Sequence, residues 1–152
     1  MKKAFTMIEL IFVIVILGIL AAVAVPKMGS AKTNAEIAKG KTDVATIRSS
    51  ILTERQSQLI KGNNNFIDKL SSSDDILFTG DTDAKRTLLT YGIVSGTSNG
   101  KWSADGDTYT KYIFHISELE IKFTYDNKTG KFDCDRGDAS SEEEKTCRKL
   151  VD

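Results

Sequence analysis

The hydrophobic and polar positions divide the chain into two parts that meet near residue 26. Residues 5–25 are almost entirely apolar, and Glu9 is the one charged side chain among them. As a helix, this segment is about 32 Å long, which matches the ~30 Å hydrocarbon core of a bilayer. Because a helix satisfies its own backbone polar groups, the pattern predicts a membrane-spanning helix. A carboxylate in such a helix is costly and usually has a functional partner, which here could be an amino terminus created by cleavage nearby.

After Pro26 the pattern predicts an amphipathic helix over residues 27–60, with apolar residues at helical spacing among charged ones. Its apolar members are Met28, Ala31, Ala35, Ile37, Ala38, Val44, Ile47, Ile51 and Leu52, which we interpret as one face. Pro26 lacks an amide donor, so we expect a kink or local unwinding there. Gly40 costs the helix about 1 kcal/mol relative to alanine. Gly62 and the asparagines after it suit the end of the helix.

The last third of the chain predicts an antiparallel sheet. Residues 108–116 are rich in aromatic and branched side chains, and residues 119–125 alternate between apolar and polar. Residues 126–130 have turn composition, and a return strand begins at 131–133. The fold class is therefore α+β, a long N-terminal helix packed on a small antiparallel sheet of three or four strands.

The middle of the chain, residues 63–106, is mixed in composition and rich in turn-forming residues. Short apolar pieces at 76–78 and 88–91 suit either edge strands or helical turns. We interpret Trp102, beside Lys101, as a hydrophobic anchor at the edge of a loop.

Composition excludes several functional classes. The chain has 152 residues, enough for one compact domain, and its formal net charge is zero. It therefore has no basic field that would indicate nucleic-acid binding. The sequence contains no phosphate-binding glycine loop, nucleophile motif or His/Cys cluster, so we expect neither enzymatic activity nor a cofactor. Asp133, Asp135 and Asp138 suit calcium by residue type but lack a complete binding-loop pattern, and we expect no metal site.

Two cysteines, Cys134 and Cys147, lie close together near the C-terminus. In an exported domain such a pair usually forms a disulfide, whereas in the cytosol it is more often reduced. The cellular compartment therefore decides between a bridge and two free thiols.

The first residues carry a specific resemblance. The segment KAFTMIEL at residues 3–10, followed by the apolar run and Pro26, resembles the class III leader of type IV pilins and type II secretion pseudopilins. The resemblance implies that a prepilin peptidase cuts between Ala4 and Phe5 and methylates the new amino terminus of Phe5. The family usually has glycine before the cut, and this chain has Ala4.

The resemblance also assigns roles further along the chain. It implies that Glu9 pairs with the amino terminus of a neighbouring subunit and so directs filament assembly. Gly18 and Pro26 fall where the family often has a flexible stretch of helix. A C-terminal disulfide loop is common in type IV pilins, which implies a bridge between Cys134 and Cys147.

The implied organisation has three parts: a leader at 1–4, a transmembrane and assembly helix at 5–26, and an extracytoplasmic domain at 27–152. The location implied is the inner membrane, single-pass with the C-terminal domain on the periplasmic side, and then an extracytoplasmic filament. The partners implied are copies of the chain and related pilins, the prepilin peptidase, the inner-membrane assembly machinery and the lipid bilayer, with no nucleic acid.

Two alternatives remain at this stage. Lys2 and Lys3 with the apolar run also fit an ordinary signal peptide, in which residues 22–24 would form a small-x-small cleavage site. Alternatively, the chain is a minor pilin that acts as a DNA-uptake or adhesion module. Balanced charge gives the second alternative little support.

Overall fold

The computed structural model describes residues 5–152, apart from the side chains of residues 26–28 and 30. The predicted leader, including Ala4, lies outside the described residues. The chain divides into two compact units, Met1–Ala35 and Glu36–Asp152.

Within residues 5–152, a long helix is followed by short and medium strands and a C-terminal helix. The elements are α1 (Met7–Ile60), β1 (Ile76–Leu77), β2 (Gly80–Asp81), β3 (Arg86–Thr87), β4 (Ile93–Val94), β5 (Lys101–Ala104), β6 (Lys111–Ile116), β7 (Leu119–Asp126), β8 (Lys131–Cys134) and α2 (Glu142–Val151). The predicted α+β class, with a long N-terminal helix and a small antiparallel sheet, is confirmed.

In the first unit, α1 contains an apolar segment, Met7–Val25, with a mean hydropathy of 3.1. All of its side chains are exposed. The helical backbone continues through residue 26, so the local unwinding expected at Pro26 is absent from the described backbone. A helix tolerates one missing amide donor when local adjustment or neighbouring groups satisfy the freed carbonyl.

In the second unit, α1 has two apolar faces rather than the single one predicted. Val44, Ile47 and Ile51 are at most 1% exposed and belong to the core. Ala38 and Leu52 are exposed, with Leu52 at 58%. Nine residues make two and a half helical turns, so Ala38 and Ile47 lie on opposite sides of the helix. Helical spacing alone did not separate these two faces, and the prediction of one face was wrong.

Gly40 lies on the buried face of α1, where the helix passes close to β6 and α2. A Cβ atom at this position would lie 2.7 Å from both the Phe114 ring and a methyl group of Leu150. Such a distance requires the neighbours to move, which is the overpacking that destabilises cores. Glycine at position 40 therefore costs the helix some intrinsic stability, but it allows the close approach of Phe114 and Leu150.

The end of α1 is a Schellman motif centred on Gly62. The Gly62 amide donates to the Leu59 carbonyl at 3.0 Å, and the Asn63 amide donates to the Gln58 carbonyl at 2.9 Å. Gly62 has φ of 80°, the left-handed conformation that this motif requires. The predicted helix end is confirmed.

The main sheet has the strand order β5-β6-β7-β8, and each neighbouring pair is antiparallel. On β7, Ile121, Phe123 and Tyr125 are buried while the residues between them are exposed. This alternation places one sheet face in the same hydrophobic core as the buried face of α1. The predicted strands and turn of this region are confirmed.

Trp102 on β5 lies inside this core, so its interpretation as an anchor at a loop edge was wrong. Its side chain is fully buried, and its ring centroid is 4.9 Å from that of Phe114 and 5.0 Å from that of Phe123. Its indole Nε1 donates to Asp43 of α1 at 3.0 Å. The strand is only four residues long and begins with a lysine, so the sequence pattern did not distinguish it from the turn residues around it.

The C-terminal helix α2 begins inside the loop that the two cysteines enclose. Ser141 caps it by accepting a hydrogen bond from the Glu144 amide at 3.1 Å, and three glutamates in the first turn suit the helix dipole. Cys147 and Leu150 are at most 1% exposed and face the core. Residues 135–140, which precede the helix, are all exposed.

A buried ion pair fastens α1 to the segment that follows it. The Arg86 guanidinium donates from Nε and Nη2 to the two Glu54 carboxylate oxygens at 2.7 and 2.6 Å. It also donates to the carbonyls of Phe66 and Asn65 at 2.9 and 3.0 Å. Both charged side chains are below 10% exposed. One guanidinium therefore fixes the path of the chain after the helix.

Candidate processing and assembly site

The candidate site begins at Thr6 and Glu9, where α1 starts. The Glu9 carboxylate accepts hydrogen bonds from the Thr6 amide at 2.8 Å and the Thr6 hydroxyl at 2.7 Å. In return, the Glu9 amide donates to the Thr6 hydroxyl at 3.3 Å. This reciprocal pair is a capping box, in which each side chain satisfies a backbone donor that the first helical turn leaves unpaired.

The capping box directs the Glu9 carboxylate towards the amino-terminal end of the helix. The partial positive charge of the helix start stabilises an anion there. A carboxylate has about four acceptor positions, so two bonds from Thr6 leave capacity for an additional donor. Phe5 adjoins Thr6 and is 82% exposed. A cut immediately before Phe5 would therefore create a cationic amine one residue from the group that Glu9 binds.

Thr6 is the part of this site that the sequence analysis missed. The signal was present, because threonine followed three residues later by glutamate, at the start of an apolar helix, is the capping-box pattern. The roles predicted for Phe5 and Glu9 stay predictions, and Ala4 lies outside the described residues.

Gly18 and Pro26 are the other two residues to which the sequence analysis gave a role in the N-terminal helix. A Cβ atom added at Gly18 would meet nothing within 4 Å of the described residues, so packing within the chain does not require glycine there. The backbone at Pro26 is helical. The flexibility predicted for both positions stays a prediction.

The apolar segment has the dimensions of a membrane span. Met7–Val25 contains 19 residues, which as a helix measure about 28 Å. Its exposed side chains include Phe12 at 66%, Leu17 at 58% and Leu20 at 61%. Such a continuous apolar surface requires lipid or other apolar helices around it.

The cysteines of the second unit are joined. Cys134 at the end of β8 and Cys147 in α2 form a disulfide, with their Cα atoms 5.9 Å apart. The predicted bridge is confirmed. Both residues are buried, at 5% and 0% exposed, so the bridge is part of the core.

Arg48, which the sequence analysis did not single out, joins the same elements by hydrogen bonds. From α1 it donates to the carbonyls of Phe132 and Val151 at 2.8 and 3.2 Å, and to the Asp133 carboxylate at 3.1 Å. A long side chain on a helix gives no sequence signal for partners more than 80 residues away.

Two of the three aspartates that suited calcium by residue type have side-chain partners within the protein. Asp133 pairs with Arg48 and Lys131, each at 3.1 Å. Asp138 accepts from the Ser140 amide and hydroxyl, and these hydrogen bonds hold the pKa of its carboxyl below the ordinary value. Across residues 5–152, no three His, Cys, Asp or Glu side chains are grouped as metal ligands.

Comparison with protein families finds the prokaryotic N-terminal methylation motif over residues 1–25. This motif is typical of type IV pilins and pseudopilins, so the resemblance predicted from residues 3–10 and the following apolar run is confirmed. No curated protein and no solved structure matches the chain. The chain is thus prepilin-like, with an N-terminal apolar helix and a C-terminal disulfide.

Proposed function

We propose that the chain is a structural subunit of an extracytoplasmic filament, either a type IV pilus or a type II secretion pseudopilus. The observation that carries the proposal is the Glu9 carboxylate, held by Thr6 at the start of an exposed apolar helix within a methylation motif. A carboxylate within a membrane-spanning helix is costly and usually has a functional partner besides its own helix, and an assembly contact would supply one.

In this proposal the prepilin peptidase cuts the bond between Ala4 and Phe5, which releases residues 1–4. It then methylates the new amino terminus of Phe5. Residues 5–26 span the inner membrane, and residues 27–152 lie on its periplasmic side. Proteins with this motif are in general structural rather than enzymatic. The chemistry at Phe5 is therefore done by the peptidase, and the chain contributes the recognition segment.

Assembly follows from the two physical features of the apolar helix. Its exposed surface is covered by lipid before assembly and by the helices of other copies afterwards. The Glu9 carboxylate binds the Phe5 amine of a neighbouring copy, and in an apolar surrounding such a pair is favourable only when both charges are matched. A copy entering without this pair leaves a carboxylate uncompensated, so the contact selects the correct position in the filament.

Glu9→Gln tests this role of the carboxylate. Glutamine keeps an acceptor for the capping box but removes the charge that pairs with an amine. We expect cleavage of the leader to be unchanged and the yield of sheared filaments to fall by more than about tenfold, because loss of a buried interfacial charge pair costs about 2–5 kcal/mol. The measurement is filament yield beside the fraction of processed chain, in cells that contain the peptidase and assembly machinery.

Glu9→Ala is the matched comparison, since it removes both the charge and the cap. If Glu9→Gln assembles as well as the unchanged chain while Glu9→Ala does not, the cap rather than the ion pair is the important function of Glu9. That outcome would contradict the proposed pairing.

A further inference from the structure

One sequence pattern lies outside the site described above. Residues 127–129, Asn-Lys-Thr, are the only place in the chain where asparagine is followed two residues later by threonine or serine. This pattern, with any residue except proline in the middle, is the acceptor for N-linked glycans in exported proteins. Because three residues make a short motif, the position of these residues in the fold is decisive.

The three residues lie in the turn between β7 and β8. Asn127, Lys128 and Thr129 are all exposed. The next residue, Gly130, has φ of 72°, and a Cβ atom at that position would overlap the ring of Phe66. The glycine side of the turn is therefore packed, and residues 127–129 are accessible from solvent. Exposed turns held by a rigid sheet are the usual place for groups that another protein must reach.

The hydrogen bonds that form the turn come from Asp126 rather than from Asn127. The Asp126 carboxylate accepts from the Lys128 amide at 2.9 Å and from the Thr129 hydroxyl at 2.8 Å. The Asn127 side chain donates from Nδ2 to the Asp68 carboxylate at 3.3 Å, in an exposed contact. This distance is longer than the usual range for such a bond, so the amide nitrogen is held only weakly. The turn can therefore keep its conformation when Nδ2 is modified.

We propose that Asn127 is the attachment site of an N-linked glycan, which is added on the exported side of the membrane. This rests on the proposed function, because export places residues 27–152 where glycans are transferred to secreted proteins. The disulfide between Cys134 and Cys147 suits the same oxidising compartment.

The reaction joins the Asn127 amide to a lipid-linked sugar. The donor is an oligosaccharide attached through pyrophosphate to a polyprenyl lipid, and an oligosaccharyltransferase binds donor and acceptor. Nδ2 of Asn127 forms a bond to C1 of the first sugar, while the bond from C1 to the pyrophosphate oxygen breaks and the lipid pyrophosphate leaves with that electron pair. The amide gives one proton to a base of the transferase. The acceptor pattern also requires a hydroxyl two residues after the asparagine, which Thr129 supplies.

A glycan at Asn127 constrains the filament as well. A bulky, hydrophilic group on the β7–β8 turn cannot be buried between subunits. This end of the sheet therefore lies at the filament surface.

The test is mass spectrometry of chain isolated from cells that contain the prepilin peptidase and an oligosaccharyltransferase shown to modify an Asn-Lys-Thr peptide. Trypsin releases residues 123–128, which include Asn127. We expect this peptide to carry the mass of the oligosaccharide, and its fragmentation should place the added mass on Asn127.

Thr129→Ser and Thr129→Val are the matched variants. Serine keeps the hydroxyl that the pattern requires, while valine keeps the branched shape of threonine without the hydroxyl. We expect the modified fraction to stay within about threefold for Thr129→Ser and to fall at least about tenfold for Thr129→Val. Asn127→Gln should abolish the modification. All three changes lie in an exposed turn, so the thermal midpoint of the full chain in detergent is expected to change little.

The outcomes separate this inference from the function on which it rests. An unmodified peptide 123–128, from chain that begins at methylated Phe5, would overturn the glycan site while the proposed function stands. Equal modification of Thr129→Ser and Thr129→Val would overturn the site as well, since the added mass would then not depend on the acceptor pattern. A chain that keeps residues 1–4 and forms no filaments would overturn the proposed function, whether or not Asn127 is modified.

Discussion

Glu54→Ala is expected to lower the free energy of unfolding of the second unit by about 3–5 kcal/mol, the usual cost of breaking a buried ion pair. Arg86 would lose both carboxylate partners, at 2.6 and 2.7 Å, and would stay buried with an uncompensated charge. Its remaining hydrogen bonds, to the carbonyls of Asn65 and Phe66, do not neutralise a guanidinium. The measurement is denaturant unfolding of the full chain in detergent.

Asp83→Ala is the control for this prediction. Asp83 pairs with Lys69 at 2.7 Å, a distance equal to one of the Glu54 contacts, but its side chain is 83% exposed. Water replaces such a contact readily, so we expect little change. If Glu54→Ala and Asp83→Ala have similar small effects, the buried pair does not hold the segment after α1 in the way described.

Replacing both Cys134 and Cys147 with serine is expected to lower the free energy of unfolding by about 2–5 kcal/mol, the range for a native disulfide in a small exported domain. The bridge closes a sequence separation of 13 residues and joins β8 to α2. Without the bridge, α2 still has Leu150 in the core and the hydrogen bond from Arg48 to the Val151 carbonyl. The attachment of α2 to the rest of the unit is therefore weakened but not lost.

The matching measurement compares unfolding of the unchanged chain with and without a reductant. Because both sulfurs are buried, we expect slow reduction of the folded chain and rapid reduction only as it unfolds. Equal unfolding midpoints for the bridged chain and the double serine variant would contradict a stabilising role for the bridge.

The elements that have a strong local pattern could be predicted from the sequence alone. The apolar run, the helix end at Gly62 and the alternation on β7 each depend on a spacing that local chemistry enforces. The capping box of Thr6 and Glu9 had such a signal as well and could have been recognised.

Features that depend on distant partners could not be predicted in this way. Phe78 has φ of 61° and is fully buried against Trp102 and Tyr112, a conformation that only the surrounding core imposes on a bulky residue. The Glu54–Arg86 pair joins residues 32 positions apart. Hydrophobicity also could not distinguish the face of α1 that packs on the core from the exposed apolar face that includes Ala38 and Leu52, because both have helical spacing.

Processing of this chain as a prepilin is tested most directly by its mature amino terminus. The measurement is mass spectrometry of the N-terminal peptide from chain isolated out of cells that contain the prepilin peptidase. The prediction is a chain that begins at Phe5 and carries one methyl group on its amine. A mature chain that begins at Val25, as after ordinary signal cleavage, or that keeps residues 1–4, would contradict it.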